Sequence, residues 1–108
     1  MSRKFTIKEL HQFNGINKEE IYVSILGKVY DVTKSKEMYG KGGSYHVFAG
    51  HDATLCLAFT SLESEHLDKP LQNVDDDAMG RVNAFKDRFE SKYPTVGYVV
   101  DLKFSSSL

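Results

Sequence analysis

The chain has 108 residues, which is enough for one domain and too few for two. Its net charge is −1 with acidic and basic residues interspersed, a balance that argues against a nucleic-acid partner. The single cysteine excludes an internal disulfide and a thiolate zinc cluster, and no apolar stretch approaches the roughly 20 residues that span a bilayer.

We therefore expect one domain over residues 1–108, with a core at about 5–100 and a frayed tail at 101–108. The N-terminal residues have no apolar signal-peptide segment after their charges. The lone thiol, Cys56, suits a reducing compartment, so the domain as given is expected to be soluble and intracellular. Association with the endoplasmic reticulum is expected if an anchor has been removed from a longer protein.

The first predicted element is a short helix that begins after Thr6. Thr6 and Glu9 have the spacing of a capping box, and the helix should run to about Phe13, where an Asn-Gly pair ends it. Residues 21–32 then alternate in a strand-like way around a central glycine and are rich in β-branched and aromatic side chains. That pattern predicts a β-hairpin.

A glycine-rich loop flanked by tyrosines follows at residues 38–45. Ser44 is placed to cap a short helix that runs through Phe48. Asp52 is placed to cap the next helix, which should run to about Phe59.

Residues 61–74 are polar and predict a loop with one helical turn at most. Three aspartates, 75–77, then place negative charge where the dipole of a following helix favours it. Apolar residues recur at spacings of three and four on one face of this helix, and they are Met79, Val82, Phe85, Phe89 and Tyr93. Pro94 stops the helix, and residues 96–100 predict a final strand. The whole pattern indicates an α+β domain in which a small mixed sheet, drawn from both ends of the chain, carries several short helices.

The glycine loop does not match a phosphate-binding motif. Gly40, Gly42 and Gly43 lack both the Lys-Ser or Lys-Thr pair of a P-loop and the spacing of a dinucleotide fingerprint. Tyr39 and Tyr45 bracket the loop. From the residues alone, these tyrosines suit either the hydrophobic core or the wall of a site for a flat ligand.

No constellation of catalytic residues is evident, so we do not expect an enzyme. Cys56 lies in an apolar run, where a thiol behaves as a small inert hydrophobe. The histidines lack the spacing of a zinc-binding helix and are expected at the surface or in caps; they are His11, His46, His51 and His66. His46 stays a candidate ligand because it adjoins Tyr45.

Several blocks of sequence, in order along the chain, carry a family resemblance. They are Phe5-Thr6 through Asn14-Gly15, Ile21–Thr33, Tyr39-Gly40 through Tyr45, Phe48–Ala53 and Phe89–Gly97. Over about residues 5–100 the chain resembles the membrane-associated progesterone receptor family, a branch of the cytochrome b5-like haem/steroid-binding fold. The resemblance implies that fold, with a cleft for haem or another ligand.

The resemblance also implies a haem b site in which tyrosine replaces histidine. In cytochrome b5 a His-Pro-Gly-Gly element supplies a histidine ligand, but no histidine precedes the Gly-Gly pair here. In the resembled family the second tyrosine of the loop is the axial iron ligand, and that position is Tyr45. Tyr39 matches a tyrosine that hydrogen-bonds nearby. Lys92 and Tyr93 match a pair that supports haem from another side.

Three positions depart from the pattern of the resembled family. Lys41 and Ser44 stand where the family often has prolines, and His51 stands where it often has a base. Such changes affect the stiffness of the loop or its contacts with haem propionates, and they leave the ligand in place.

The function implied by the resemblance is that of an accessory or haem-delivery module for haem-thiolate monooxygenases of sterol metabolism. A haem-mediated homodimer is also implied, because a ligand on one side leaves the other haem face open. Two alternatives stay open. One is a steroid- or sterol-binding or protein-interaction module without obligatory haem, and the other is a b5-type electron carrier ligated by His46 or His66.

Overall fold

The computed structural model describes residues 3–71 and 74–102, which form a five-stranded sheet and the helices packed on it. The strands are β1 (Arg3–Phe5), β2 (Tyr22–Ile25), β3 (Lys28–Asp31), β4 (His51–Asp52) and β5 (Thr95–Val99). The α-helices are α1 (Ile7–Leu10), α2 (Lys36–Tyr39), α3 (Thr54–Phe59) and α4 (Asp76–Lys92). Short 3₁₀ helices lie at Thr33–Ser35, His46–Phe48 and Ser64–His66.

The sheet has the order β1-β5-β3-β2-β4 and mixes parallel with antiparallel pairs. β1 lies parallel to β5 and β4 lies parallel to β2, while β3 is antiparallel to both of its neighbours. Strands from both ends of the described chain therefore meet in one sheet, as predicted. The edge strands β1 and β4 have only three and two residues, which is too short for an alternation of apolar and polar residues to predict them from the sequence.

The predicted hairpin is confirmed as β2 and β3, joined by a two-residue turn at Leu26 and Gly27. Both turn residues have positive φ, 53° and 81°, as a type I′ turn requires. Leu26 is held in this uncommon conformation because its amide donates to Thr54 Oγ1 at 2.8 Å. The Gly27 amide donates to the Asp52 carboxylate at 3.3 Å. The segment that leads into α3 therefore fixes the turn.

Two apolar cores lie on opposite faces of the sheet. On β3 the neighbours Val29 and Tyr30 are both fully buried, one in each core, because successive strand residues point to opposite faces. The smaller core packs against α1, around Phe5 and Phe13. The larger core lies between the sheet and helices α2, α3 and α4.

The longest predicted helix is confirmed as α4. Asp75 caps this helix, since its carboxylate accepts from the Ala78 amide at 2.8 Å, and Pro94 follows shortly after the last helical residue. The apolar stripe predicted from the spacing faces the larger core along its whole length. The predicted final strand is confirmed as β5, one residue earlier than expected.

The first helix is shorter than predicted. It has the predicted capping box at Thr6 and Glu9, but it ends at Leu10 instead of near Phe13. Residues 11–13 leave the helix because the Phe13 ring stacks on Tyr22, with 4.4 Å between ring centroids. A contact made across the fold therefore ends this helix.

Two predicted caps are wrong. Ser44 caps no helix, because the segment after it is a 3₁₀ turn that begins at His46 and has no side-chain cap. Asp52 lies in β4 instead of at the cap position of α3. Its carboxylate still accepts from the Thr54 amide at 3.0 Å, so the predicted contact with the helix start exists without the cap geometry.

The polar segment predicted at 61–74 contains one 3₁₀ turn in its described part, as expected. Residues 103–108 of the predicted tail lie outside the described residues, as do residues 72–73. In residues 3–71 and 74–102, none of the helices combines the length and the continuous apolar surface that spanning a bilayer requires.

Close packing around Gly97, in the middle of the sheet, leads to a prediction about stability. Gly97 in β5 pairs with both β1 and β3, and a Cβ there would collide with the Arg3 carbonyl oxygen and come within 2.8 Å of Phe5 Cε2. We predict that Gly97→Ala lowers the free energy of unfolding by about 1–3 kcal/mol, as overpacking does. Gly80 in α4 is the control, since a Cβ there meets nothing within 4 Å. Gly80→Ala should raise the free energy of unfolding by up to about 1 kcal/mol. Urea unfolding measures both, and the same sign for the two variants would contradict the packing.

Candidate functional site

A cavity of about 420 Å³ lies between the sheet and helices α2, α3 and α4. Its wall is mainly apolar and aromatic. The four residues singled out in the sequence all line it, and they are Tyr39, Tyr45, Lys92 and Tyr93. The fold therefore brings the glycine loop and the end of α4, which are far apart in the chain, to one pocket.

Tyr45 lies at the edge of the pocket with 39% of its surface exposed. Its ring stacks on Phe48 with 5.9 Å between centroids, and its amide donates to the Met38 carbonyl at 2.9 Å. This close return of the loop requires a glycine at position 43, because a Cβ on Gly43 would collide with the same carbonyl. The loop thus fixes a partly exposed phenol beside an apolar cavity.

Tyr39 forms the inner wall of the pocket and is 6% exposed. Its ring makes edge contacts with Phe89 and Tyr93, at 6.1 and 6.5 Å between centroids. Burial raises the pKa of the Tyr39 phenol, and the nearby Tyr93 and Tyr45 raise it further. The positive charge of Arg88 opposes that shift only in part. Tyr39 is therefore a neutral phenol at physiological pH and is able to donate a hydrogen bond to an oxygen in the pocket.

Tyr93 presents its ring to the pocket, but its hydroxyl is engaged elsewhere. The Tyr93 hydroxyl and Ser35 Oγ share a buried hydrogen bond of 2.8 Å, which ties the end of α4 to the turn before α2. Lys92 is exposed, and its ammonium lies 5.4 Å from the centre of the Tyr93 ring. A cation therefore lies at the rim of the pocket, above an aromatic wall.

Sequence patterns did not identify the second cation of the rim, Arg88. Arg88 precedes Lys92 by four residues, so both project from one face of α4, and both line the pocket. The guanidinium of Arg88 also covers Phe85, 5.0 Å from the ring centre. The signal that could have revealed the pair is the spacing of four between Arg88 and Lys92 on a periodic helix. Two cations beside an apolar slot suit a ligand that is largely apolar and carries negative groups on one edge.

Helix α3 supplies another part of the wall through Cys56 and Leu57. Cys56 is fully buried, and burial raises the pKa of its thiol to about 11, with the Asp52 and Asp68 carboxylates adding to the shift. A thiol that stays protonated is a weak nucleophile, so Cys56 is a wall residue and not a catalytic candidate.

The two histidines kept as alternative iron ligands lie elsewhere in the described structure. His46 and His66 are absent from the set of residues that line the pocket. His46 Nε2 lies 3.4 Å from the Asn14 carbonyl oxygen, and His66 Nδ1 lies 3.0 Å from the Ser61 hydroxyl. Among the described residues, therefore, no histidine lines the pocket where it could ligate a haem iron.

Comparison with known protein families decides what kind of domain this is. The family described as "Cytochrome b5-like Heme/Steroid binding domain" matches residues 6–99 of the chain. The chain belongs to this family. The predicted fold of this cytochrome b5-like domain is also confirmed by a solved protein from Arabidopsis thaliana, described as having a cytochrome b5-like fold. The two share 40% sequence identity and a TM-score of 0.85 over 93% of each chain.

Named relatives of this cytochrome b5-like domain come from plants, fungi and animals. It is 41% identical to "Probable steroid-binding protein 3" of Arabidopsis thaliana, over 90% of this chain and 98% of that protein. It is 34% identical to cytochrome P-450 regulator dap1 of Schizosaccharomyces pombe, over 91% of this chain and 63% of that protein. It is 36% identical to membrane-associated progesterone receptor component 2 of Rattus norvegicus, over 88% of this chain and 45% of that protein.

The predicted resemblance to the membrane-associated progesterone receptor family is thereby confirmed. The names of these three relatives are those of binding proteins and a regulator, and none is the name of an enzyme. This chain spans less than two thirds of the length of the yeast and rat proteins.

The buried thiol makes a chemical prediction about the pocket wall. Cys56 is the only cysteine of the chain and is fully buried with a pKa of about 11, so its thiolate is scarce in the folded protein. We predict that its reaction with Ellman's reagent near neutral pH is at least about 100-fold slower in the folded domain than in the urea-unfolded chain. Stopped-flow absorbance measures both rates. Similar rates in the two states would show that Cys56 is not part of a closed wall.

Proposed function

We propose that this domain binds haem b in the pocket and that the Tyr45 phenolate is the axial iron ligand. The observation that carries the proposal is the position of Tyr45, a partly exposed phenol at the edge of an aromatic cavity of about 420 Å³. Cofactor cavities commonly measure about 300–1,000 Å³. The family description, which names heme and steroid as ligands, supports haem as the occupant.

The chemistry of the wall suits a flat macrocycle that carries two carboxylates. Tyr39, Phe89 and Tyr93 offer apolar and aromatic surface to its plane. Arg88 and Lys92 supply cations to the propionate groups from one side of α4. The pocket therefore offers a partner for each part of haem: aromatic side chains for the apolar ring, cations for the propionates and a phenol for the iron.

A phenol is ordinarily protonated, since its unperturbed pKa is near 10, and coordination to ferric iron favours the phenolate form. The Tyr39 and Tyr45 rings are neighbours in the pocket wall, with 6.1 Å between their centroids, so the neutral Tyr39 phenol is part of the surroundings of the proposed ligand. An anionic oxygen ligand stabilises ferric over ferrous iron and lowers the reduction potential. This chemistry argues against a fast b5-type electron carrier.

We further propose an accessory or haem-delivery role toward haem-thiolate monooxygenases of sterol metabolism. Support comes from the yeast relative, whose name is that of a cytochrome P-450 regulator. An intracellular setting near a membrane is part of this proposal, because the rat relative is named as membrane-associated. Tyr45 would occupy one face of the haem, which leaves the other face open to a partner or to a second copy of the domain.

Hemin binding by the wild type and by Tyr45→Phe tests the ligand. The wild type is expected to bind one hemin per chain with the ferric absorption spectrum of an oxygen-ligated haem. Tyr45→Phe should lose the phenolate-to-iron band and bind hemin at least about tenfold more weakly. Tyr98→Phe is the matched control, because Tyr98 is 43% exposed and does not line the pocket.

An unchanged ferric spectrum in Tyr45→Phe would overturn the ligand assignment, and loss of binding only in His46→Ala would favour histidine. If the wild type takes up no hemin but binds a sterol saturably, the domain is a steroid-binding module. That second function is favoured by the apolar wall, by the neutral Tyr39 phenol and by the name of the Arabidopsis relative.

The two rim cations give a separate prediction. The double variant Arg88→Gln, Lys92→Gln should bind hemin about 5- to 30-fold more weakly, because each exposed ion pair contributes up to about 1 kcal/mol. The loss should shrink at high salt. The dimethyl ester of hemin, which lacks the negative charges, should bind wild type and variant alike. Lys86→Gln is the control on the same helix, since Lys86 does not line the pocket. Equal losses with hemin and its ester would contradict a role for charge.

A further inference from the structure

A second polar cluster lies at the β4 edge of the sheet. His11 is the residue that ends α1, His51 lies in β4, and Asp68 lies in the loop after the Ser64–His66 turn. None of the three side chains lines the pocket. Three segments that are distant in the sequence therefore converge on one point, and neither the family description nor the relatives' names account for it.

The two imidazoles point at the same carboxylate oxygen. His11 Nε2 lies 2.8 Å from Asp68 Oδ2, and His51 Nδ1 lies 2.7 Å from that same atom. The two rings are 4.5 Å apart between centroids. One ligand atom from each of the three residues thus lies within 4.8 Å of the other two.

The carboxylate of Asp68 is held in position from behind. Its other oxygen, Oδ1, accepts from the Asp52 amide at 2.7 Å, and the Asp68 amide donates to the Asp52 carbonyl at 2.9 Å. Asp68 has a φ of 60°, in the left-handed region that few residues other than glycine adopt. The backbone therefore accepts an uncommon conformation at the residue whose Oδ2 faces the two histidines.

We propose that His11, His51 and Asp68 form a binding site for a divalent transition-metal ion of the Zn²⁺ class. Two imidazole nitrogens and one carboxylate oxygen are ligands that Zn²⁺ accepts, with a fourth position left to water. Zinc–ligand bonds of about 2.0–2.1 Å place tetrahedral ligands about 3.3 Å apart. To admit the ion, the two nitrogen–oxygen distances, 2.8 and 2.7 Å, widen by about half an ångström. The ion replaces the protons that His11 Nε2 and His51 Nδ1 direct at Asp68; each proton moves to the other nitrogen of its ring or is released to solvent.

The surroundings of the cluster also suit a metal ion. The side chains of His11 and His51 are 40% and 30% exposed and that of Asp68 is 16% exposed, so an ion from solvent can reach the site. The Asp52 amide on Oδ1 is the kind of outer contact that orients a metal ligand.

A bound ion would add a shared coordination centre to three parts of the fold that already meet through hydrogen bonds and a ring contact. The end of α1, strand β4 and the loop at Asp68 would share one coordination centre. Ala53, which follows β4 directly, is a wall residue of the pocket. Because the ion would bind the folded state, in which the three ligands are together, its binding is expected to stabilise the domain against unfolding. It would add no group to the pocket.

The experiment uses the full chain, free of haem and without a histidine tag, titrated with Zn²⁺ or Co²⁺ alone. Calorimetry should give one Zn²⁺ per chain, Co²⁺ should give visible d–d absorption bands, and Zn²⁺ should raise the unfolding temperature. Asp68→Asn and His51→Gln should each weaken binding by at least the roughly 10- to 100-fold that even outer-contact changes cost. His66→Gln is the matched control, because its half-buried imidazole lies 3.8 Å from the Glu65 carboxylate, outside the cluster. Tyr45→Phe should bind Zn²⁺ as the wild type does, which separates this site from the pocket.

A readout on the unmodified protein guards against variants that fail to fold. In proton NMR spectra of the wild type, Zn²⁺ should shift the imidazole signals of His11 and His51 and leave those of His46 and His66 in place. Absence of saturable 1:1 binding would overturn the proposal and leave the cluster as a hydrogen-bonded clamp. The proposal would also be overturned if His66→Gln lowered the affinity for Zn²⁺ as much as Asp68→Asn does.

Discussion

One buried carboxylate, that of Asp52, joins the parts of the fold on which the pocket depends. Asp52 is fully buried and accepts hydrogen bonds from the Ser24 hydroxyl at 2.5 Å, the Gly27 amide at 3.3 Å and the Thr54 amide at 3.0 Å. Burial raises the pKa of Asp52 to about 6, and these hydrogen bonds limit the rise. A buried carboxylate costs free energy unless hydrogen-bond donors surround it. The donors to Asp52 come from strand β2, from the turn and from the start of α3, so these three parts have to assemble together.

The two helical walls of the pocket reach the sheet by different routes. Helix α3 follows directly from β4 and the Asp52 cluster. Helix α4 is tied to β3, because the Tyr30 hydroxyl donates to Glu90 at 2.6 Å, and to α3, because Arg81 donates to the Ala58 carbonyl at 2.6 Å. The pocket is thus a gap between two helices that reach the sheet through different strands and are also tied to each other through Arg81, and its width is set by polar contacts at its ends. Its lining can remain apolar because those contacts lie outside it.

Periodicity predicted the parts of the fold whose pattern is long enough to repeat, namely the hairpin and α4. It did not predict β1 and β4, which are strands only because neighbouring strands pair with them, nor the release of Phe13 from α1 by a ring across the fold. At the site, the residues alone could not distinguish Tyr45 from a core tyrosine, and only the family resemblance linked it to the end of α4. Arg88 carried a helical spacing signal that becomes informative once Lys92 is suspected. The cluster of His11, His51 and Asp68 could not be predicted from the sequence, since its three members come from segments that no local pattern connects.

The burial of Cys56 bears on which atom any metal centre in this pocket would meet. Sulfur is the softer and more electron-rich donor, but it binds iron as the thiolate, and a thiol with a pKa of about 11 supplies almost none. Tyr45 has the opposite environment, since 39% of its surface is exposed at the edge of the pocket. Under the proposed haem binding, the burial of the thiol and the exposure of the phenol therefore favour oxygen over sulfur as the iron ligand. A substitution that opened a path from solvent to Cys56 would reduce this advantage and let sulfur compete with oxygen for the iron of the proposed site.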